Sequence, residues 1–409
     1  MSSVEACSSP DIVDAPGPQS VDWVKVGLVL AALAMGGFAI GVTEFAAMSI
    51  LPDFAAGLGV DEPTAGHAIS AYAAGVVVGA PILAVLGARA PRWLLLIGFM
   101  ALFAIGNGLS ALSPTFGWML AFRFLSGLPH GAYFGVAALV AASLVPLKVR
   151  TRAVSTILLG LTVGTVIGVP IANAASHAFG WRWTFIIVSV LAVLTMLLLA
   201  LFAPRDPAHA DASPMRELGA LKSSQVWLTL GVGAIGFGGM FAVYAYLAST
   251  LRSVTGVGPE VMPWVFAIFG VGMFIGNLVG AWAADKVGFK AAGWLLLWSA
   301  FALALYPFAA PHLWAMMVVV LLIGAGGGLG SILQTRLMDV AGDAQTLAAA
   351  LNHSAFNTAN AIGPLLGGMA VAAGLGWTST AWVGVGLTLG GLALWIVAYI
   401  SGRRHALMA

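Results

Sequence analysis

The stretch WTFIIVSVLAVLTMLLLALFA, residues 183–203, contains no charged side chain. An α-helix rises 1.5 Å per residue, so a run of this length spans about 30 Å, the thickness of the hydrocarbon core of a bilayer. The run is continuously apolar and lacks the alternation of a barrel strand, which favours a helix as the spanning structure. It predicts a transmembrane helix.

Similar apolar runs recur along the whole chain. Of its 409 residues, 60% are hydrophobic and 8% are charged, whereas soluble domains contain about 25% charged residues. The class expected is therefore an all-α polytopic membrane protein with the lipid bilayer as its surroundings. The twelve predicted spans are 26–50, 65–87, 93–113, 117–141, 154–177, 183–203, 226–250, 262–284, 291–309, 313–336, 346–372 and 378–401.

Charge and cysteine content exclude several classes of function. A net charge of +2 does not supply the concentrated basic face of a nucleic-acid binder. The single cysteine, Cys7, cannot form an internal disulfide and makes a cysteine-based metal site implausible. No metal or cofactor is expected, and nothing in the sequence demands more than a monomer.

The basic residues predict the orientation in the membrane. With the amino terminus inside, 14 of the 17 basic residues fall in inner segments, only Arg182 and Arg252 fall in outer loops, and Arg123 lies within a span. This distribution follows the positive-inside rule and predicts that both termini are cytoplasmic. The 14 inner residues are Lys25, Arg89, Arg92, Lys148, Arg150, Arg152, Arg205, Arg216, Lys222, Lys286, Lys290, Arg336, Arg403 and Arg404.

The longest inner loop divides the twelve spans into six and six. Residues 79–93, at the inner end of span 2, resemble residues 276–290, at the inner end of span 8. Two six-helix repeats are typical of secondary transporters, whose substrate site lies between the halves near mid-membrane. The predicted domains are a disordered tail (1–25), a first bundle (26–203), a central cytoplasmic loop (204–225), a second bundle (226–402) and a short tail (403–409).

Several motifs carry a resemblance to a known family. They are GVTEF at 41–45 with LP at 51–52, RFLSGLPHG at 123–131, a glycine run of Gly160, Gly164 and Gly168 ending in Pro170, GWRW at 180–183 and DKVG at 285–288. With these motifs the chain resembles the major facilitator superfamily, in particular its twelve-span drug:proton antiporters that export sugars, nucleosides and chloramphenicol. The resemblance implies two pseudo-symmetric six-helix bundles, no bound cofactor, and a location in the bacterial inner membrane.

The same resemblance implies residues that gate the conformational change. They are Arg89, Arg92, Gly160, Gly164, Gly168, Pro170, Asp285, Gly288, Gly363 and Pro364. The family's loop between spans 2 and 3 usually carries an Asp and a Gly, whereas this chain has Ala88 and Pro91. We therefore expect the second copy, at Asp285, to contribute more to gating. The fuller form of the span 5 motif, GPLLGG, occurs at 363–368 in span 11.

The charges inside the spans indicate where protons would act. Glu44 is the one carboxylate within a predicted span, and Arg123 lies at a similar depth, about 9 Å from the outer end of its helix. An ionised carboxylate at that depth is costly unless it is hydrated or paired, which suits a proton-coupling site. We expect the two side chains to approach each other across the central cavity; a static pair, or a glutamate reaching the outer interface, is the alternative.

His130 follows Arg123 on the same helix face, about 10 Å deeper. An imidazole there suits a proton relay, a substrate contact or a packing role, and the sequence does not separate these roles. A polar stripe on span 11 and polar groups on other spans predict a cavity for a neutral or amphiphilic small molecule. The predicted cavity residues are Tyr133, Tyr244, Tyr246, Asn277, Gln334, His353, Asn357 and Asn360.

The function predicted is export of small molecules driven by the proton gradient. No inner loop is long enough for an ATPase domain, and Glu44 is the sole deep carboxylate, so protons are the favoured coupling ion. The alternatives are a proton symporter for uptake on the same fold and, from another class, an intramembrane enzyme. The enzyme would need clustered catalytic groups, which the spans do not show, so the chain is predicted not to be an enzyme.

Overall fold

The computed structural model describes residues 22–87, 89–146, 149–205, 221–341 and 345–408. Residues 1–21 of the predicted tail, 206–220 of the predicted central loop and Ala88 lie outside these ranges. The helices before residue 204 are α1 Trp23–Ser49, α2 Leu51–Leu58, α3 Glu62–Ala65, α4 His67–Gly87, α5 Arg92–Ala111, α6 Phe116–Gly127, α7 His130–Ser143, α8 Arg150–Val163, α9 Val169–Phe179 and α10 Arg182–Phe202. Those after it are α11 Ser224–Gly236, α12 Gly238–Tyr244, α13 Leu247–Thr250, α14 Met262–Val287, α15 Lys290–Ala309, α16 Leu313–Ala325, α17 Leu329–Val340, α18 Gln345–Ala370 and α19 Ser379–Met408.

Twelve helical segments in the described ranges are long and apolar enough to cross a membrane, which confirms the predicted number of spans. Spans 1, 3, 6, 8, 9, 11 and 12 are each built on one long helix, α1, α5, α10, α14, α15, α18 and α19. The others contain shorter helices in line: α3–α4 in span 2, α6–α7 in span 4, α8–α9 in span 5, α11–α13 in span 7 and α16–α17 in span 10. We refer to spans 1–6 as the first half and to spans 7–12 as the second half.

Glycines set which spans touch within each half. A Cβ placed on Gly41 of span 1 would lie 2.6 Å from the carbonyl oxygen of Leu161 in span 5. The same relation joins span 11 to span 7, where a Cβ on Gly363 would lie 2.5 Å from the carbonyl oxygen of Gly238. Small residues allow this approach in lipid, where burying apolar surface does not drive helices together. The pairing of spans 1 and 5 is thus repeated by spans 7 and 11.

A second pairing is repeated in the same way. Gly127 of span 4 lies against the backbone of Tyr72 in span 2. In the second half, a Cβ on Gly280 of span 8 would lie 2.5 Å from the carbonyl oxygen of Gly328, at the centre of span 10. The two halves therefore share their internal contacts, and the predicted pair of pseudo-symmetric six-helix bundles is confirmed.

Spans 4, 5 and 10 each depart from regular α-helix within their length, and span 7 is divided into α11, α12 and α13. Span 4 changes from α6 to α7 at Leu128 and Pro129, where proline lacks the N–H of a regular helix. Span 5 contains a π-helical turn over Gly164–Gly168, just before Pro170. Span 10 contains a 3₁₀ turn of three glycines, Gly326–Gly328. Each of these turns packs closely against a neighbouring span: Leu128 against Gly79, Gly164 against Phe38, and Gly328 against Gly276.

Candidate functional site

Glu44 lies in α1 with its side chain buried, 1% exposed, at the contact between the two halves. Its Oε1 accepts a hydrogen bond of 3.0 Å from Nδ2 of Asn360, which belongs to α18 in the second half. The other oxygen, Oε2, is buried without a hydrogen-bond donor. Asn360 was predicted as a cavity residue, and the structure brings it to the predicted proton-coupling carboxylate.

Arg123 is the second buried charge. Of the Asp, Glu, Lys and Arg side chains described, Glu44 and Arg123 are the only buried ones. Nη1 of Arg123 donates to Oγ1 of Thr43 at 3.1 Å, and the guanidinium lies over the ring of Tyr72, 4.3 Å from its centre. Thr43 in turn donates to Oδ1 of Asn107 at 2.6 Å. All four residues belong to the first half.

The expected direct approach of Arg123 to Glu44 is not found. Among the described residues, no ion pair joins the two side chains, and Nε of Arg123 has no acceptor. The physical reason is that Thr43, next to Glu44 in the chain, and the face of Tyr72 already hold the guanidinium. Sequence reasoning missed Tyr72 and Asn107, although Asn107 is the one side-chain amide of span 3.

His130 extends this buried network away from Glu44. Its Nδ1 is 2.9 Å from the hydroxyl of Tyr72, so Tyr72 joins the imidazole to the guanidinium of Arg123. The rings of His130 and His353 are 6.2 Å apart across the two halves. His353 stacks on Phe134 of the first half, with ring centres 4.8 Å apart and an angle of 6°. Two of the predicted histidines therefore come together at one contact.

An aromatic group also joins the halves and was missed from the sequence. Phe45, the neighbour of Glu44, packs against three second-half rings, those of Phe241, Tyr244 and Phe269, with ring centres 5.4–6.4 Å apart. The hydroxyl of Tyr244 is buried with no hydrogen-bond partner among the described residues. Phe45 stands in the GVTEF motif, but no spacing rule links it to rings some 200 residues away.

The remaining predicted cavity residues do not all face this centre. The hydroxyl of Tyr133 donates to the Leu33 carbonyl at 2.8 Å within the first half, and that of Tyr246 donates to the Pro364 carbonyl at 2.9 Å within the second. Asn357 donates to the His353 carbonyl at 3.0 Å along its own helix. Asn277 and Gln334 are half-buried. Their roles stay predictions.

The predicted gating residues occupy three kinds of place. Gly160, Gly164 and Gly168 pack on α1, and Gly363 packs on α12, so these glycines set helix contacts. Pro364 supplies the carbonyl that Tyr246 binds, and Pro170 follows the π-helical turn. Arg89 and Asp285 are exposed, Arg92 is half-buried, and Gly288 ends α14 with a φ of 58°. No gating role is tested by these positions.

Polar contacts join the halves on the predicted outer side. Nη2 of Arg252, in the second half, is 3.7 Å from Oδ1 of Asp53, whose Oδ2 is 3.2 Å from Nδ1 of His177. Ser249 of the second half donates to Oε2 of Glu62 in the first. These contacts close the predicted outer side of the molecule over the buried centre.

Asp61 lies beside this closed face, outside the spans. Its Oδ1 accepts a hydrogen bond of 2.8 Å from the backbone N–H of Thr64, capping α3. Hydrogen bonds from Thr64 hold the pKa of Asp61 below its ordinary value, because they favour the ionised carboxylate.

Two six-helix bundles meeting at a buried carboxylate, within twelve membrane spans, define a secondary transporter. The chain matches the Major Facilitator Superfamily over residues 33–256 and 228–406, and it belongs to that family. It is similar to the inner membrane transport protein YdhP of Escherichia coli (strain K12), with 38% identity over 384 residues, 93% of this chain and 98% of that protein. The predicted family and the multi-pass location in the inner membrane are thereby confirmed.

Two further comparisons bear on activity and on fold. The chloramphenicol resistance protein of Streptomyces lividans is 35% identical over 349 residues, 83% of this chain and 88% of that protein. A bacterial homologue of the human lysosomal transporter Spinster, solved in an inward-facing and occupied conformation, superposes with a TM-score of 0.69 at 18% identity, covering 91% of this chain and 96% of that one. At that identity the likeness shows the fold. The family and these relatives are membrane transporters, not enzymes.

Proposed function

We propose that this transporter exports small neutral or amphiphilic molecules in exchange for protons, by alternating access. The observation that carries the proposal is the burial of Glu44 at the contact between the halves, with its carboxylate bonded to Asn360 across that contact. A group whose charge changes there alters the free energy of bringing the halves together. Export, in place of uptake, is supported by the name of the chloramphenicol resistance protein.

The protons would act through Glu44 in two steps. Loading from the outer side neutralises the carboxylate while the halves close over it, and release to the inner side restores the charge. A charge buried without a full set of partners is costly in a low dielectric, so the ionised form favours a conformation in which water or substrate reaches the carboxylate. Transport of the substrate in the opposite direction would then be linked to each protonation cycle.

The proposed substrate class follows from the buried polar groups. Arg123 is the only buried cation among the described residues, and Thr43 and Tyr72 already hold it. No second buried cation is present there to neutralise an acidic substrate. The rings of Phe45, Phe241 and Tyr244, with the unpartnered Tyr244 hydroxyl, suit an apolar molecule with a few hydrogen-bonding groups.

Transport by proteoliposomes under an imposed pH gradient tests this function, with chloramphenicol as the first probe of a panel of neutral compounds. We expect a gradient to drive substrate against the direction of proton flow. Glu44→Gln should abolish the effect of the gradient, because it carries no titratable group, and should retain exchange of substrate without a gradient.

Glu260→Gln is the matched control, since Glu260 is an exposed carboxylate in a loop, and it should behave as the wild type. Gradient-driven transport that survives Glu44→Gln would rule out the proposed coupling site. Movement of substrate in the same direction as the protons would instead establish an uptake symporter.

A further inference from the structure

Two buried acceptor atoms without donors belong to the same pair of residues. They are Oε2 of Glu44 and Oδ1 of Asn360. The other ends of the same two groups are already joined, because Nδ2 of Asn360 donates to Oε1 of Glu44 at 3.0 Å. Buried polar atoms are nearly always hydrogen-bonded in folded proteins, so two orphans on one bonded pair require a physical explanation.

A single proton satisfies both atoms. A protonated carboxyl has one O–H donor and one carbonyl acceptor, and a primary amide has N–H donors and one carbonyl acceptor. The two groups are therefore complementary in donors and acceptors: Nδ2–H donates to Oε1, and a proton on Oε2 would supply the donor that Oδ1 lacks. With Glu44 ionised, Oε2 and Oδ1 are both acceptors, and no hydrogen bond can form between them.

We propose that Asn360 is a positioning residue that holds Glu44 in its protonated form, through a reciprocal acid–amide pair joining α1 to α18. The proton binds Oε2 from the aqueous side, and no covalent bond of the protein breaks. The proposal deepens the proposed function and rests on Glu44 as the proton carrier. It differs from the expected pairing with Arg123 in that the partner belongs to the other half of the molecule.

The position of the pair gives it a conformational role. It lies at the contact between the halves, in a structure whose predicted outer side is closed by Arg252 with Asp53 and by Ser249 with Glu62. Protonation completes the pair and stabilises this closed arrangement. Loss of the proton leaves an unsatisfied carbonyl and a buried charge at the same contact, which favours separation of the halves there.

Other titratable groups near Glu44 already have different partners or different surroundings. Arg123 is bonded to Thr43, and the Tyr72 hydroxyl is bonded to His130. His353 stacks on Phe134. Tyr244 packs around the neighbouring Phe45 and has no hydrogen-bond partner among the described residues. None of these groups from the surrounding helices is hydrogen-bonded to the Glu44 carboxylate. Its direct partner is the amide of Asn360.

The test measures closure of the predicted outer side as a function of pH. Cys7, the single cysteine, is replaced by serine, and spin labels are attached through A56C and E260C, at exposed positions in the two halves. Distances are recorded in lipid nanodiscs without substrate, across about pH 5 to 9. The wild-type label pair should be close at acid pH and should separate as the pH rises.

Asn360→Leu removes two hydrogen bonds from the protonated form and one from the ionised form, so it should shift the midpoint of closure to lower pH by about 0.7 unit, since one hydrogen bond is worth about 1 kcal/mol and one pH unit about 1.4 kcal/mol. Asn360→Asp can still share a proton with Glu44 and should retain pH-dependent closure. Thr358→Val is the control, because the Thr358 hydroxyl donates to the Ser354 carbonyl of its own helix at 2.8 Å, and it should keep the wild-type midpoint.

An unchanged midpoint in a folded Asn360→Leu protein would overturn the inference. Glu44→Gln separates this failure from failure of the proposed function. Its amide can donate to Oδ1 of Asn360 at every pH, so with no substrate bound the label pair should stay close throughout the range, while substrate can still open that side for exchange. If Glu44→Gln kept the wild-type pH dependence, Glu44 would not be the proton carrier. If only Asn360→Leu were without effect, Glu44 would remain the carrier and the acid–amide pair would be wrong.

Discussion

At the scale of single residues, the guanidinium of Arg123 is held by hydrogen-bond acceptors and by aromatic rings, all from the first half. It donates to Thr43 through two nitrogens, to Oγ1 at 3.1 Å and to the carbonyl at 3.5 Å, and it lies over the rings of Tyr72 and Phe185. A planar guanidinium can make hydrogen bonds at its edge while its face contacts aromatic rings. A lysine ammonium is a point charge and lacks the planar set of N–H donors of a guanidinium.

Arg123 and Thr43 should therefore be energetically coupled. In a double-mutant cycle of Arg123→Lys and Thr43→Val, we expect an interaction free energy of about 1.5–3 kcal/mol, the range for hydrogen bonds to a charged group. Unfolding of the purified transporter in detergent provides the measurement. The cycle of Arg182→Lys with Thr43→Val is the control and should be additive, because Arg182 donates to the Ser113 carbonyl. Additivity in both cycles would contradict the role given to Thr43.

The same residues show which parts of the site could be predicted from the sequence. Glu44 and Arg123 could be predicted because charges within apolar runs are rare and costly. Their partners could not, since Thr43, Tyr72 and Asn360 stand among many polar residues of the spans and their selection depends on helix rotation. Rotation is set by packing against neighbouring helices, which the hydropathy of one segment does not report.

At the scale of helices, span 5 packs along span 1, and the face of span 5 in contact is made of glycines. A Cβ on Gly160 would overlap the carbonyl oxygen of Ala34, and one on Gly164 would lie 2.7 Å from that of Phe38. Backbone atoms cannot move aside as a flexible side chain can, so larger residues there would force the two helices apart. The close approach places the Glu44 helix directly on the π-helical turn of span 5.

Gly160→Ala should accordingly destabilise the protein by about 1–3 kcal/mol, the typical cost of overpacking. Gly135→Ala is the matched control, because a Cβ at Gly135 meets nothing within 4 Å. It should be neutral or stabilising by up to about 1 kcal/mol, since alanine favours helix over glycine. Thermal unfolding followed by circular dichroism distinguishes the two variants. Equal stability of both would show that spans 1 and 5 separate without cost.

Helix number and approximate bounds could be predicted because a bilayer fixes the length of an apolar run. Span 6 shows the agreement, with 183–203 predicted and Arg182–Phe202 found. The π-helical turn at Gly164–Gly168 could not be predicted. Glycines followed by a proline favour some departure from a regular helix, but the form of this turn depends on the backbone of α1 that packs against it.

At the scale of the whole molecule, the two halves meet through a buried pair and through polar contacts on the predicted outer side. The Arg252 and Asp53 side chains are 52% and 21% exposed. Exposed ion pairs contribute about 0–1 kcal/mol. The outer contact therefore makes a small contribution to the free energy of closing that side, and the buried centre makes the larger one.

Removing this outer contact should have a small and measurable effect. Arg252→Ala is expected to raise the open fraction of the predicted outer side by at most about fivefold, which corresponds to 1 kcal/mol. The label pair at positions 56 and 260 reports the change, and high salt should reproduce part of it. Arg182→Ala is the control, an arginine on the same side whose contacts lie within the first half. A tenfold or larger opening by Arg252→Ala would mean that the ion pair dominates closure.

The stack of His353 on Phe134 has a consequence for the speed of the conformational change. Stacked rings favour offset arrangements over a range of centre separations, so one ring can slide over the other while most of the attraction is retained. The hydrogen bond of Asn360 to Glu44 weakens steeply once its angle is lost. The activation barrier should therefore arise mainly at the Glu44 end of the contact, and the rate of interconversion should respond more to solvent isotope than to the size of the ring at position 134.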